Sequence, residues 1–402
     1  MAIVPLPTRF SGFFTTVFDR FSHTTAGTDT DLTWADLCKH LMESHSEAED
    51  QRIAKSILQK YHAAPQGDAL AFFDLLLNDY DLTPKTAADA AAAYRAQSTQ
   101  ANYNTLIKAT QPPRLDIFRK IANVHNGAQC LVKMRQDIRA QRKAHPDLAR
   151  LDTDLLGLLS DWFNRGFLVL EPISWKTPAH ILEKIIAYEA VHEIQDWDDL
   201  RRRLHPHDRR CYAFFHPRMP DDPIIFVEVA LTADTPNSVD ALLDATRTHT
   251  PMNQVTTACF YSISNCHAGL AGISFGNALI KQVASVIAAE LPMVENFVTL
   301  SPVPLLSKHA GNGAAQTVAQ YLVQGKRPDA LPIDPVARFH LGNGAQLYAI
   351  HENANTSPRG ARESYGTMVN YRYDLAKVDT RAEAFATAHI IAHSKPVAAL
   401  LS

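Results

Sequence analysis

Gly269, Gly272 and Gly276 lie between a β-branched and aromatic run, Cys259 to Ser264, and an apolar stripe at helical spacing, Leu279, Val283 and Ile287. A strand, a glycine-bearing loop and a helix in that order can cradle an anion. Glycines let backbone N–H groups approach closely, and the free N–H groups and dipole of a helix N-terminus, here from about Asn277, favour phosphate. The chemistry this allows is the holding of a pyrophosphate. The same three glycines would equally serve turns and close packing. The spacing is not GxGxxG, and no P-loop Lys-Ser/Thr pair follows, so neither a dinucleotide nor a nucleoside triphosphate is indicated.

The elements that must position this loop fall into two groups. From Thr30 to about Arg150 the pattern is helical: Trp34, Leu37 and Leu41, then Ile53, Ile57 and Tyr61, each form one apolar stripe. Thr83 before Pro84 reads as an N-cap with proline in the first turn, and the alanine-rich run Ala87 to Ala93 predicts closely packed helices. Near Gly166 the character changes. FLVLEPISW is a short apolar run ended by Pro172, and Ile224 to Leu231 and Cys259 to Ser264 read as strands. HPRMPDDP (His216 to Pro223) reads as a turn between strands and KHAGNGAAQ (Lys308 to Gln316) as a loop. The expected architecture is α+β: an all-helical domain over 1–165, then an α/β domain with a mixed sheet over 166–402.

Length supports that division, because 402 residues exceed one comfortable hydrophobic core. A formal charge of -3, from 39 Lys and Arg against 42 Asp and Glu, points to no nucleic-acid or anionic-membrane partner. The five cysteines, Cys38, Cys130, Cys211, Cys259 and Cys266, include no CxxC pair, which speaks against a disulfide framework or a thiolate metal site and for a reducing, cytoplasmic setting. The opening MAIVPLPTRFSGFF has no signal-peptide core, and no run is apolar enough to span a membrane.

Several segments together resemble the malonyl-CoA decarboxylase family. They are SWKTPAHILEKIIAYEAVHEI (Ser174 to Ile194), the FYSIS and glycine-loop block, LSPVP (Leu300 to Pro304), FHLGNGA (Phe339 to Ala345), SPRG (Ser357 to Gly360) and MVNYRYDL (Met368 to Leu375). Their order and spacing match from roughly residue 165 to 380, whereas the helical first third resembles the family in character and length alone. The resemblance implies a helical domain that assembles oligomers, a dimer or tetramer, and a catalytic domain of GNAT-like fold whose glycine loop holds coenzyme A. It implies a catalytic pair at Ser301 and His340, with Ser262 and Tyr373 at further active-site positions. The substrate it implies is malonyl-CoA, and no metal or organic cofactor is expected beyond the coenzyme A of the substrate. At Ser274, where relatives can carry an acid, this chain departs from the pattern. If that acid orients the histidine, another group must do so here.

Decarboxylation of malonyl-CoA suits such residues. The thioester is its own electron sink, so the protein has to hold the carboxylate out of the thioester plane, stabilise the enolate oxyanion and supply a proton to carbon. On this reading His340 is the proton donor. Ser301 orients the carboxylate or the histidine, and Ser262 and Tyr373 donate to substrate or support the pair. Arg338, Arg359 and the basic run Arg201, Arg202, Arg203, Arg209 and Arg210 could meet phosphate or carboxylate, with internal ion pairs or a solvated face as the plainer reading.

Two alternatives remain on sequence grounds: a GNAT-type CoA-dependent acyltransferase, and a non-catalytic sensor of acyl-CoA. A Ser/His hydrolase is disfavoured, because LSPVP lacks the GxSxG elbow.

Overall fold

The structure is a computed structural model that describes residues 31–273 and 275–402. The opening segment, the Ser274 position and the Asn277 side chain, all discussed above, lie outside the described residues. The chain forms two compact units. The first runs to Phe167 and includes His216–Pro220 and His267–Ile273; the second comprises the remainder from Leu168. The two short segments inside the first unit have no signature in local sequence pattern.

The first unit holds eight helices among the described residues: α1 (Trp34–Glu43), α2 (Glu47–Ala63), α3 (Gln66–Asn78), α4 (Pro84–Ala96), α5 (Gln100–Ala109), α6 (Arg114–Ala122), α7 (Gly127–Gln141) and α8 (Ala149–Trp162). Thr33 starts α1 with a capping box, its hydroxyl accepting from Asp36 N while the Asp36 carboxylate accepts from Thr33 N. The stripes seen in the sequence are the buried faces: Trp34, Leu37, Leu41, Ile53, Ile57 and Tyr61 share one core with Phe72 and Phe73. The alanine-rich helix α4 packs closely on α5, as its small side chains predict, but stands largely off the core. Within α4 only Ala90 is buried, and α5 buries nothing, although Tyr94 and Tyr103 bring the pair together with ring centroids 5.9 Å apart. Methyl groups form helix readily but supply little area with which to anchor it on a core.

The second unit is built on an eight-stranded mixed sheet. Its strands are β1 (Val169–Ile173), β2 (Arg209–Phe215), β3 (Ile225–Thr232), β4 (Thr257–Asn265), β5 (Asn296–Thr299), β6 (Ser301–Pro302), β7 (Gln346–His351) and β8 (Met368–Tyr373). The order is β1-β2-β3-β4-β5-β8-β6, with β7 paired to β8. Pro172 lies inside β1 rather than ending it, paired with Tyr212; β1 is an edge strand, where a missing N–H leaves no ladder bond unmade on the open side. Helices α9 (Ala179–Tyr188), α10 (Trp197–Leu204), α11 (Val239–Leu243) and α12 (Gly276–Glu290) come first in this unit. They are followed by α13 (Leu306–His309), α14 (Ala315–Gln324), α15 (Pro335–Gly342), α16 (Pro358–Ser364), α17 (Val378–Ala388) and α18 (Lys395–Ala399). The expected loop over 308–316 is therefore shortened to the link between α13 and α14. No described helix is long and apolar enough to cross a membrane.

One pair in the sheet is parallel, β4 with β5, in register from Thr257 opposite Asn296 to Phe260 opposite Thr299. Beyond that point β4 continues to Asn265, whereas β5 ends, and the two strands part. Leu300 N still donates to Phe260 O at 3.0 Å. On the other side the ladder to β8 is interrupted: Phe297 pairs with Tyr373 and Val298 with Arg372, then pairing resumes with Ser301 opposite Val369. Side chains fill the gap, as Tyr371 N donates to Thr299 Oγ1 at 3.2 Å and Asn370 Nδ2 to Thr299 O at 2.8 Å.

Candidate active site

Where β4 and β5 diverge, a cavity of about 270 Å³ opens, lined by Phe260, Tyr261 and Ile263 from β4 and by Leu300, Ser301 and His340 on the facing side. The carboxyl ends of parallel strands are a usual place for a ligand. Ser301 follows directly on the interrupted ladder. His340 comes from α15, which begins at a side-chain cap: Asp334 accepts from Val336 N and Ala337 N, both at 2.9 Å. Tyr373 ends β8, and Tyr371, two residues earlier on the same face, lays its ring against the His340 imidazole with centroids 4.6 Å apart.

These residues form one hydrogen-bonded chain. Tyr373 Oη lies 2.9 Å from His340 Nδ1, His340 Nε2 lies 3.1 Å from Ser301 Oγ, and Ser301 Oγ donates to Thr299 Oγ1 at 2.8 Å. The direction along the chain follows from its end. Because the Ser301 proton is spent on Thr299, Ser301 accepts from His340 Nε2–H, which leaves Nδ1 as an acceptor for the Tyr373 hydroxyl. His340 is 3 % exposed and Ser301 6 %. Burial alone pulls the imidazole down to about 3, so the resting ring is neutral. Burial also drives the Tyr373 phenol well above its ordinary value, with Asn343 beside it opposing, so that phenol stays protonated as the donor.

Of the residues expected from the sequence, Ser301, His340 and Tyr373 come together in this chain. Ser262 is held elsewhere: its hydroxyl donates to the buried Glu189 carboxylate at 2.7 and 2.8 Å, and Ser264 joins the same carboxylate at 3.2 Å. The glycines divide. A Cβ on Gly269 would lie 1.9 Å from Val132 O, so its bare Cα serves packing against α7, where Arg135 donates to Gly269 O and Ala271 O. Gly272, at φ +93°, supplies a turn that L residues rarely adopt. A Cβ on Gly276 would meet the Phe339 ring at 2.3 Å, so the glycine that opens α12 makes room for the neighbour of His340. Close packing thus accounts for Gly269 and Gly276.

Arginines named in the sequence reading are engaged by the chain itself. Arg203 is buried between Asp199 at 3.0 Å and Glu228 at 3.3 Å. Arg338 donates to Pro332 O and Ile333 O, Arg210 pairs with Glu290, and Arg359 donates to Ala190 O. Sequence reasoning missed Thr299, Tyr371 and Glu189. The first two sit two residues from Ser301 and Tyr373 on strands, a spacing that places side chains on one face; Glu189 lies inside a family-like segment but had no partner to mark it.

Comparison with known protein families gives two matches: the malonyl-CoA decarboxylase C-terminal domain over residues 166–314 and 309–402, and the malonyl-CoA decarboxylase N-terminal domain over 80–163. A curated relative from the goose Anser anser anser, named malonyl-CoA decarboxylase, mitochondrial, is 33% identical over 336 residues, 68% of this chain and 66% of its own length. The mouse protein of that name is 29% identical over 73% of this chain and 72% of its own length. Among solved structures, the malonyl-CoA decarboxylase of Rhodopseudomonas palustris is 43% identical with a TM-score of 0.86, covering 91% of this chain and 99% of that one. That of Agrobacterium vitis is 41% identical at a TM-score of 0.86, covering 92% and 99%.

Proposed function

The chain belongs to the malonyl-CoA decarboxylase family of carboxy-lyases, and from that premise we propose that it converts malonyl-CoA to acetyl-CoA and carbon dioxide with His340 and Ser301 as the reacting pair. The observation that carries the reading is the hydrogen bond of 3.1 Å between Ser301 Oγ and His340 Nε2 inside a mostly apolar cavity.

When the malonyl carboxylate enters, the Ser301 hydroxyl turns from Thr299 to donate to it, and His340 Nε2–H turns from Ser301 to do the same. The electron pair of the bond between C2 and the carboxylate carbon moves into the thioester as an enolate, and carbon dioxide departs. An apolar surround assists, since the charge on the carboxylate is lost to a neutral product. The anion beside His340 reverses the preference that burial sets, so the ring takes up one proton from solvent on Nδ1, the Tyr373 hydroxyl turning to accept it; the Nε2 proton then passes to C2 and leaves a neutral imidazole. Tyr373 holds the ring from its other nitrogen, the task that an acid would have at position 274 in relatives. Ser262, tied to Glu189, supports the wall of the cavity. The free backbone N–H groups of the first turn of α12, at Gly276 and Asn277, are this reading's holder of the coenzyme A pyrophosphate.

Assembly into a dimer or tetramer through the helical unit and a cytoplasmic location belong to this reading. The lightly buried α4 and α5 and the five buried, unbridged cysteines support them.

The test is turnover of malonyl-CoA by metal-stripped protein, following carbon dioxide and acetyl-CoA, with folded His340→Ala and Ser301→Ala alongside. Loss of about 10²- to 10⁴-fold in kcat is expected for His340→Ala. A folded wild-type protein that binds coenzyme A tightly but releases no carbon dioxide would move the assignment to acyl transfer or sensing.

A further inference from the structure

The chain after α9 forms a partition whose every residue is pinned. Glu189 Oε1 accepts from Val191 N and His192 N, both at 2.8 Å. Ala190 N donates to Ser264 Oγ at 3.2 Å, and Arg359 donates to Ala190 O at 2.5 Å. Arg203 donates to His192 O at 2.7 Å and Glu193 O at 2.9 Å. Charge-assisted bonds on both sides of so short a segment leave its backbone little freedom to yield.

Val191 is where this partition meets the Ser301–His340 cavity. It also lines a neighbouring cavity of about 170 Å³ and a larger one of about 900 Å³ that reaches Asp240 and Arg362. Val191 is the residue that the cavity beside the reacting pair shares with the larger volume, and with Pro302 and Val336 it bounds the smaller one. On a fixed backbone, the size of the Val191 side chain sets how much of that space opens beside the substrate.

Resting on the decarboxylase reading above, we propose that Val191, on a backbone fixed by Glu189, Ser264, Arg203 and Arg359, decides whether a malonyl thioester carrying a substituent on C2 is accepted. The reaction for such a substrate is unchanged in its balance: the carboxylate leaves as carbon dioxide and C2 takes one proton. What changes is the room required beside C2. A pocket in direct contact discriminates a single methyl by about 10- to 200-fold.

The experiment compares kcat/KM for methylmalonyl-CoA and malonyl-CoA in the full chain and in Val191→Ala and Val191→Ile. The ratio of methylmalonyl-CoA to malonyl-CoA is expected to rise about tenfold or more in Val191→Ala and to fall in Val191→Ile. A ratio unchanged in both folded variants, or moving the same way in both, overturns the proposal, because general damage to the fold lowers both rates without opposite effects on selectivity. Wild-type protein that turns over neither thioester sinks the decarboxylase reading itself, a result distinct from an unmoved ratio.

Discussion

Tyr373 stands 2.9 Å from the Nδ1 of His340 and holds the imidazole from the side opposite Ser301. A neutral phenol occupies the place that an acid serves in many histidine sites. It fixes the tautomer without adding a negative charge that would draw a second proton onto the ring.

Replacing Tyr373 with Phe keeps the ring and removes the hydroxyl. The imidazole then loses its Nδ1 partner, and kcat for malonyl-CoA is expected to fall about tenfold, about 1.4 kcal/mol, with KM nearly unchanged. Steady-state kinetics check this. A KM that rises while kcat holds would assign the hydroxyl to substrate binding instead.

Acid should unfold the protein partly through its buried histidines. His340 is held down to about 3 and His192 to about 4, both chiefly by burial and His192 also by Arg203, against an ordinary 6.5. The unfolded chain therefore binds more protons between the folded and the ordinary values. The stability tied to a neutral ring is complete above about pH 6.5 and is lost as pH falls toward 3, by at most about 1.4 kcal/mol per pH unit for each group. Denaturant unfolding of wild type and His340→Gln at pH 7, 5.5 and 4.5 should show the wild type losing more stability on acidification. Parallel losses in the two proteins would remove His340 from this account.

If packing fixes the loop glycines, their alanine variants should differ. Gly269→Ala drives a methyl into the Val132 carbonyl, so a loss at or above about 3 kcal/mol of stability is expected. Gly276→Ala presses on the far end of the Phe339 ring, which can shift, so a loss of about 1–2 kcal/mol is expected, with kcat reduced because His340 is the next residue. Thermal unfolding and kinetics on both variants separate these effects. Equal losses of stability in the two would contradict the distinction.

Much of the arrangement was legible in the sequence. Helical stripes such as Trp34, Leu37 and Leu41 are local periodic signals, and the structure buries them as one face. Ser301, His340 and Tyr373 were marked by short segments that resemble a family. Partners were not legible. Glu189 meets Ser262 across 73 positions, and Tyr371 N reaches Thr299 Oγ1 across 72 where the ladder between β5 and β8 breaks, a matter of register between strands distant in sequence. Helix α4 shows the opposite limit: its propensity predicts helix correctly, while burial depends on what the rest of the chain brings against it.

The parallel pairing of β4 with β5 also governs when the site can come into being. Parallel neighbours require a crossover, here through α12, and His340 and Tyr373 arrive from still later in the chain. Such long loops must close before their contacts repay the entropy, whereas the backbone bonds within each helix of the first unit close over four residues. During refolding, helical signal should therefore return well before catalytic competence, which waits on the last strand of the sheet.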